Sequence, residues 1–127
     1  MNVRADESHV ATLQEVVKTK NPAMIRRAIL ALEKVMEAYD EVECPVTDVF
    51  IDGLYCRQCF NPAGTLIVGK IQRHGCLAMI VCGEVKVFDE HGERHLVAGE
   101  IFESKPGAKR VVLALKDTVF ATIHANP

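Results

Sequence analysis

The sequence predicts a mainly β protein with an N-terminal α-helical hairpin, its strands antiparallel and folded as a sandwich or small barrel. Three observations lead there. Residues 22–39 carry apolar side chains at helical spacing. From Val46 onward, short apolar runs recur between turn residues. Within them Glu84-Val85-Lys86-Val87 alternates polar with apolar and is followed, beyond His91-Gly92, by a matching arm at Arg94–Val97. That is the pattern of a half-exposed hairpin.

Residues 1–43 read as helical. Asp6 or Ser8 can cap a first helix that runs to about Lys20, with Val10, Leu13, Val16 and Val17 on one stripe. Asn21-Pro22 ends it and opens the next, because Asn caps well and Pro at the first helical position has no needed N–H to lose. The second helix is predicted from Pro22 to about Tyr39. Ile25, Ala28, Ile29, Leu32, Val35, Met36 and Tyr39 form its apolar stripe, and charged residues fill most of the other face. Such a stripe has to be buried, on the β region or against a second subunit. The acidic stretch from Asp40 ends in Cys44-Pro45, where the helical part gives way to sheet. The predicted organisation is a helical hairpin over 1–43 and a β unit over 44–127, packed as one body.

Strands are predicted at 46–51, 54–60, 65–73, 77–82, 84–89, 94–98, 100–103, 110–115 and 118–124. Turn signals lie at Asp52-Gly53, Asn61-Pro62, Gly64, Gly75, Gly83, His91-Gly92, Gly99, Pro106-Gly107 and Lys116-Asp117. The run from Pro62 to Gly83 organises the rest. If 65–73 is one strand, Lys70, Gln72 and His74 project together with Val68, while Ile67, Gly69 and Ile71 take the other face. The apolar set suits packing under the helices. Three polar groups in register then mark either a solvated face or the lining of a pocket, and the pocket is favoured.

Composition narrows the function classes. The chain has 127 residues, 49% hydrophobic and 25% charged, which suits one soluble domain with a real core. A formal net charge of -2 gives no reason to expect nucleic acid or an acidic membrane as partner. The first ten residues lack the apolar stretch of a signal peptide, so the expected location is cytoplasmic. Five cysteines, an odd number, argue against a disulfide framework there. Cys56 and Cys59 are expected on opposite faces of an extended strand, which suits neither a redox motif nor, without a bulge, a zinc site. Cys82, inside an apolar run, reads as a core residue.

The phrases Gly69-Lys-Ile-Gln-Arg-His74-Gly-Cys76, an apolar strand up to Gly83, a Gly92 hairpin, Gly99 and Pro106-Gly107 resemble the two motifs of the cupin superfamily. Residues 45–124 are similar, more narrowly, to small cupin-like proteins of tailed bacteriophages and prophages, through Leu54-Tyr-Cys-Arg57, Pro62-Ala-Gly-Thr-Leu, Val68-Gly-Lys-Ile71, Pro106-Gly-Ala-Lys-Arg110 and Asp117–His124. The helical N-terminus also looks like theirs. The resemblance implies a cupin-like antiparallel β-barrel of the jelly-roll type, in the host cytoplasm if phage-encoded. It also shows a departure. Metal-binding cupins carry His-x-His, a Glu and a further His; here His74 holds one slot, Cys76 falls on another, and Ile80 or Val81 and Arg110 or Val111 fall on the rest. A catalytic metal usually needs three protein ligands. A divalent metal on His74 and Cys76 is therefore the weaker expectation, and no cofactor is implied.

What remains at the barrel mouth is basic. Tyr55 and Arg57 share one strand face, Arg110 follows the Pro-Gly turn, and His124 shares a face with Phe120 and Thr122, alternating against Val119, Ala121 and Ile123. Arg57 faces either the interior, where it needs an anionic partner, or solvent. With Lys70, Gln72 and His74 these residues would line a cationic lumen suited to a carboxylate, phosphate or nucleotide. The leading expectation is a non-enzymatic protein that binds or sequesters a small anion. The alternatives are a protein interaction or assembly module, with a host protein as partner, and a metal-dependent enzyme. Self-association is expected from the long apolar stripe of the second helix and from open strand edges. His91, His95, Asp89, Glu90 and Glu93 read as surface groups.

Overall fold

The computed structural model describes residues 1–127. Its elements are β1 (Asn2–Arg4), α1 (Glu7–Val17), α2 (Pro22–Met36), β2 (Val46–Ile51), β3 (Gly53–Asn61), β4 (Thr65–Val68), β5 (Cys76–Cys82), β6 (Glu84–Asp89), β7 (Gly92–Val97), β8 (Ile101–Ser104), β9 (Val111–Ala114) and β10 (Thr118–Asn126). The helices start where their caps predict. The Asp6 carboxylate accepts from the Ser8 N–H at 2.9 Å, and the Asn21 side chain accepts from the Met24 N–H at 3.2 Å, with Pro22 at the first helical position.

The strands form two five-stranded antiparallel sheets, ordered β1-β4-β9-β6-β7 and β2-β3-β10-β5-β8. No ladder joins one sheet to the other. The expected closed barrel is thus a sandwich, with β1, β7, β2 and β8 left as edges. The predicted hairpin is present, Glu84 opposite Val97 and Val87 opposite Arg94.

Two apolar cores follow. The first is formed by Leu13 of α1 and Ile25, Ile29, Leu32 and Met36 of α2, packed on Val3, Leu66, Val68, Phe88, Val111 and Leu113 of the first sheet. The second lies between the sheets and holds Ala78, Ile80, Val85, Val87, Leu96, Phe102, Val112 and Phe120. Ile25, Ile29, Leu32 and Met36 of the α2 stripe are thus buried within their own chain, whereas Val35 and Tyr39 of the same stripe stay exposed. An ion-pair cluster pins the same helix down. Buried Glu90 accepts from Arg26 Nε and from the Lys109 N–H, each at 2.7 Å, while buried Lys109 Nζ donates to Glu33 at 3.0 Å. Glu90 is thus a structural anchor rather than a surface charge. Gly83, which turns β5 into β6 at φ +97°, admits no side chain: a Cβ would overlap Thr118 Oγ1 and come within 2.5 Å of the Asp117 carbonyl oxygen.

Three local expectations are corrected. Residues 2–4 are not helical but pair with β4, Val3 opposite Leu66. Cys82 is exposed. The strand predicted over 65–73 stops at Val68. The Gly69 N–H still reaches the Arg110 carbonyl at 3.0 Å, and then the chain leaves the ladder as a loop whose Gln72 carbonyl accepts from the Gly107 N–H at 2.7 Å. The face assignment reverses too: Leu66 and Val68 lie under the helices, and Ile67 packs against the core between the sheets.

Candidate functional site

One end of the sandwich gathers the polar residues. There β3, β10, β5 and β8 present Tyr55, Arg57, Thr122, His124, Cys76 and Ser104 on one face, because residues opposite each other in a ladder share a side of the sheet. Arg57 opposes Thr122, and Tyr55 opposes His124. Arg110 arrives from the other sheet, just before β9. The 69–75 loop and the 105–108 turn border this end.

Arg110 is the centre of it. Its guanidinium lies over the Phe120 ring at 5.1 Å and the Phe102 ring at 5.9 Å. Its Nη1 donates to Ser104 Oγ at 2.9 Å. No carboxylate lies within salt-bridge distance of it, although Arg26, Lys86, Arg94, Lys109 and Lys116 all have one. Burial pushes its pKa below the ordinary arginine value; nearby Cys76 and Asp89 partly oppose this, and Arg94 reinforces it. The group remains a cation at neutral pH. His124 has no acidic partner either and shares a hydrogen bond of 2.9 Å with the Thr122 hydroxyl. Burial first, then the charges of Arg110 and Arg57, hold its pKa below the usual imidazole value.

Beside Arg110 runs an aromatic ladder. Phe50, Tyr55 and His124 occupy adjacent register positions on β2, β3 and β10. Phe50 and Tyr55 stack at 4.7 Å, and Tyr55 and His124 at 5.6 Å. The Tyr55 hydroxyl donates to Asp48, which stands opposite Arg57 in the ladder and makes no salt bridge to it. The site thus has a flat apolar wall and three basic groups, Arg57, Arg110 and His124.

A cleft of about 310 Å³ opens at the same end, lined by Asp89, His91, Glu93, Arg94, Glu103 and Lys105 among others. Arg94 crosses the Phe102 ring at 4.4 Å, so it shares that ring with Arg110. It also pairs with Asp89 at 3.4 Å.

The structure therefore brings Tyr55, Arg57, Arg110 and His124 together. It does not extend Lys70, Gln72 and His74 into the interior. They belong to the 69–75 loop, where Lys70 and His74 are exposed and Gln72 is half-buried. Phe50 and Arg94 were not among the sequence candidates. The signal for Arg94 was its parity with Leu96, and for Phe50 its register opposite Tyr55.

The fold has recognisable counterparts. No family model matches the sequence, and no curated protein matches it. Solved structures do. An RmlC-like cupin family protein with a double-stranded β-helix fold from Methanocaldococcus jannaschii matches at TM-score 0.56 and 14% identity, over 68% of this chain and 83% of that one. A cupin superfamily protein from Desulfitobacterium hafniense matches at TM-score 0.60 and 11% identity, over 69% and 82%. The fold is cupin-like. KdgF from Halomonas sp. matches at TM-score 0.57 and 20% identity, over 66% and 81%. At these identities the likeness establishes architecture alone.

A metal is the group that cupin resemblance brings to mind, and the donors here do not fit one. No three His, Cys, Asp or Glu side chains converge anywhere in the molecule as ligands would. His74 is exposed on the loop, whereas Cys76 is buried and faces Arg110, a cation that would repel a second one. Cys56 and Cys59 project to opposite sides of β3, Cys59 buried against Cys44 and Asn61. All five cysteines are free, and burial pushes the Cys44 thiol up to about 11. No helix is long and apolar enough to cross a membrane.

Proposed function

We propose that this cupin-like protein is a non-enzymatic binder of a small organic anion, held at the open end of the sandwich. The observation that carries the reading is Arg110, a desolvated guanidinium with two aromatic rings and a hydroxyl around it but no carboxylate. Taking a charge out of water costs several kcal/mol, and a partner that supplies the opposite charge recovers it. Arg57 adds charge of the same sign, and His124, its charged form disfavoured, adds a hydrogen-bonding ring nitrogen. The Phe50–Tyr55–His124 ladder offers a face on which a planar group can stack. The ligand class this favours is a carboxylate or phosphate joined to a flat ring, as in an aromatic acid or a nucleotide. The likeness of residues 45–124 to phage-encoded proteins would make such an anion a host metabolite or signal.

Calorimetric titration with inorganic phosphate, benzoate and adenosine monophosphate tests this. Benzoate or the nucleotide should bind more tightly than phosphate. Arg110→Met should weaken binding by roughly 10- to 100-fold, the loss expected for one charge-assisted hydrogen bond. The variant should be at least as stable as the parent, since it removes a half-buried charge that has no carboxylate within salt-bridge distance. Failure of all three probes to bind at millimolar concentration would sink the proposal.

A further inference from the structure

The outer face of the β2-β3-β10-β5-β8 sheet has nothing over it. The helices lie on the far side of the molecule, against the other sheet. On the bare face Val49, Ile51, Leu54, Leu77, Val81 and Ile101 are all exposed, Ile51 at 64% and Ile101 at 61%. The ladder registers put these side chains on one side of the sheet, with Ile51 opposite Leu54, and Met79 opposite Ile101. The single charged residue on that side is Glu103, on the edge strand β8. We infer that this face is the contact between two copies of the chain related by a two-fold axis.

The area is right for it. Five strands about 4.8 Å apart, each contributing about six residues at about 3.3 Å, make a face of roughly 24 by 20 Å, on the order of 480 Å² in projection. Side-chain relief raises the accessible area toward the roughly 800 Å² per partner of a standard interface. A monomer rarely leaves so large an apolar patch in water. The charge pattern selects the partner. At a two-fold axis a surface meets itself, so a charged face would set like against like. A face whose one charge sits at its edge avoids that penalty, and it offers no cation to a nucleic acid and no counter-charge to an acidic or basic protein. Two such sheets stack face to face at about 10 Å, as the layers of a sandwich do.

The test is mass in solution by sedimentation equilibrium across roughly 1 to 100 µM, where interfaces of this size associate. The wild-type chain, 14.0 kDa as one copy, should sediment as two. Leu77→Glu and Ile101→Lys, each at a side chain exposed in the single chain, should return it to one copy without lowering its melting temperature in the dilute limit. Leu30→Glu, on the solvent side of α2, should leave the dimer intact. A wild-type chain that stays monomeric at 100 µM overturns the inference. So does a dimer that ignores the sheet substitutions but yields to Leu30→Glu. A monomer that floats with phosphatidylcholine vesicles, or purifies in fixed ratio with another protein, assigns the face to that occupant and overturns it equally.

Discussion

On the β1-β4-β9-β6-β7 sheet the outward side chains Leu66, Val68, Phe88, Val111 and Leu113 disappear beneath α1 and α2, whereas on the β2-β3-β10-β5-β8 sheet Val49, Ile51, Leu54, Leu77 and Ile101 stay open. The two sets are equally apolar. What separates them is what the chain lays across them. Alternation along a strand says which side chains share a face; it does not say whether anything covers that face. A covered face must contribute to the stability of one chain, and a bare one can do so only through a second body.

The sharpest way to break this comparison is truncation on each side. Ile29→Ala removes a fully buried side chain under the first sheet and should cost about 2–5 kcal/mol in urea unfolding. Leu54→Ala, at a side chain 42% exposed, should cost under about 1 kcal/mol at high dilution. Equal losses would mean that the two faces are not differently placed. Glu90→Ala then asks what holds the cover on. It strands the buried Lys109 N–H and removes the partner of Arg26, so about 2–3 kcal/mol should be lost, with earlier amide exchange in α2 than in β10.

The smallest effect concerns the open end between the sheets. His124 has a folded-state pKa below its ordinary 6.5, because burial and then Arg110 and Arg57 disfavour the charged ring. Its contribution to stability is fully present above pH 6.5. It is lost as pH falls from there through the folded-state value, because the unfolded chain takes up the proton first. Unfolding free energies at about pH 7.5 and about pH 5.5 should therefore differ less in His124→Asn than in the parent. An unchanged difference would show that the imidazole is not shielded there.

Much of this was legible in the residues. Asn21-Pro22 marked the helix junction, Asp6 its first cap, and Glu84–Val87 with Arg94–Val97 the hairpin, since each signal acts over a few neighbouring residues. Parity showed that Tyr55 and Arg57 share one strand face and that His124 shares another with Thr122, because β3 and β10 are long and regular there; that the two strands are neighbours came from the resemblance. The loop at 69–75 was not. Alternation continues through Lys70, Gln72 and His74, but the ladder partner runs out once Arg110 is reached, and only the tertiary path shows that. β1 escaped for the same reason: three residues become a strand because Leu66 lies opposite Val3. Glu90 was misjudged as a surface charge, and Arg94 was passed over, because the groups that engage them, Arg26 and the Phe102 ring, are distant in sequence.

Lys109 and Arg110 are consecutive, yet one reaches into the helical layer at Glu33 and the other inward to Ser104. A single peptide unit is thereby fastened in two opposed directions, like a rivet through a plate. The Glu90 carboxylate clamps its amide as well. The backbone that carries the guanidinium is therefore tied to a helix on the other side of the sheet. Lifting α2 off the sheet would loosen the peptide that carries that guanidinium.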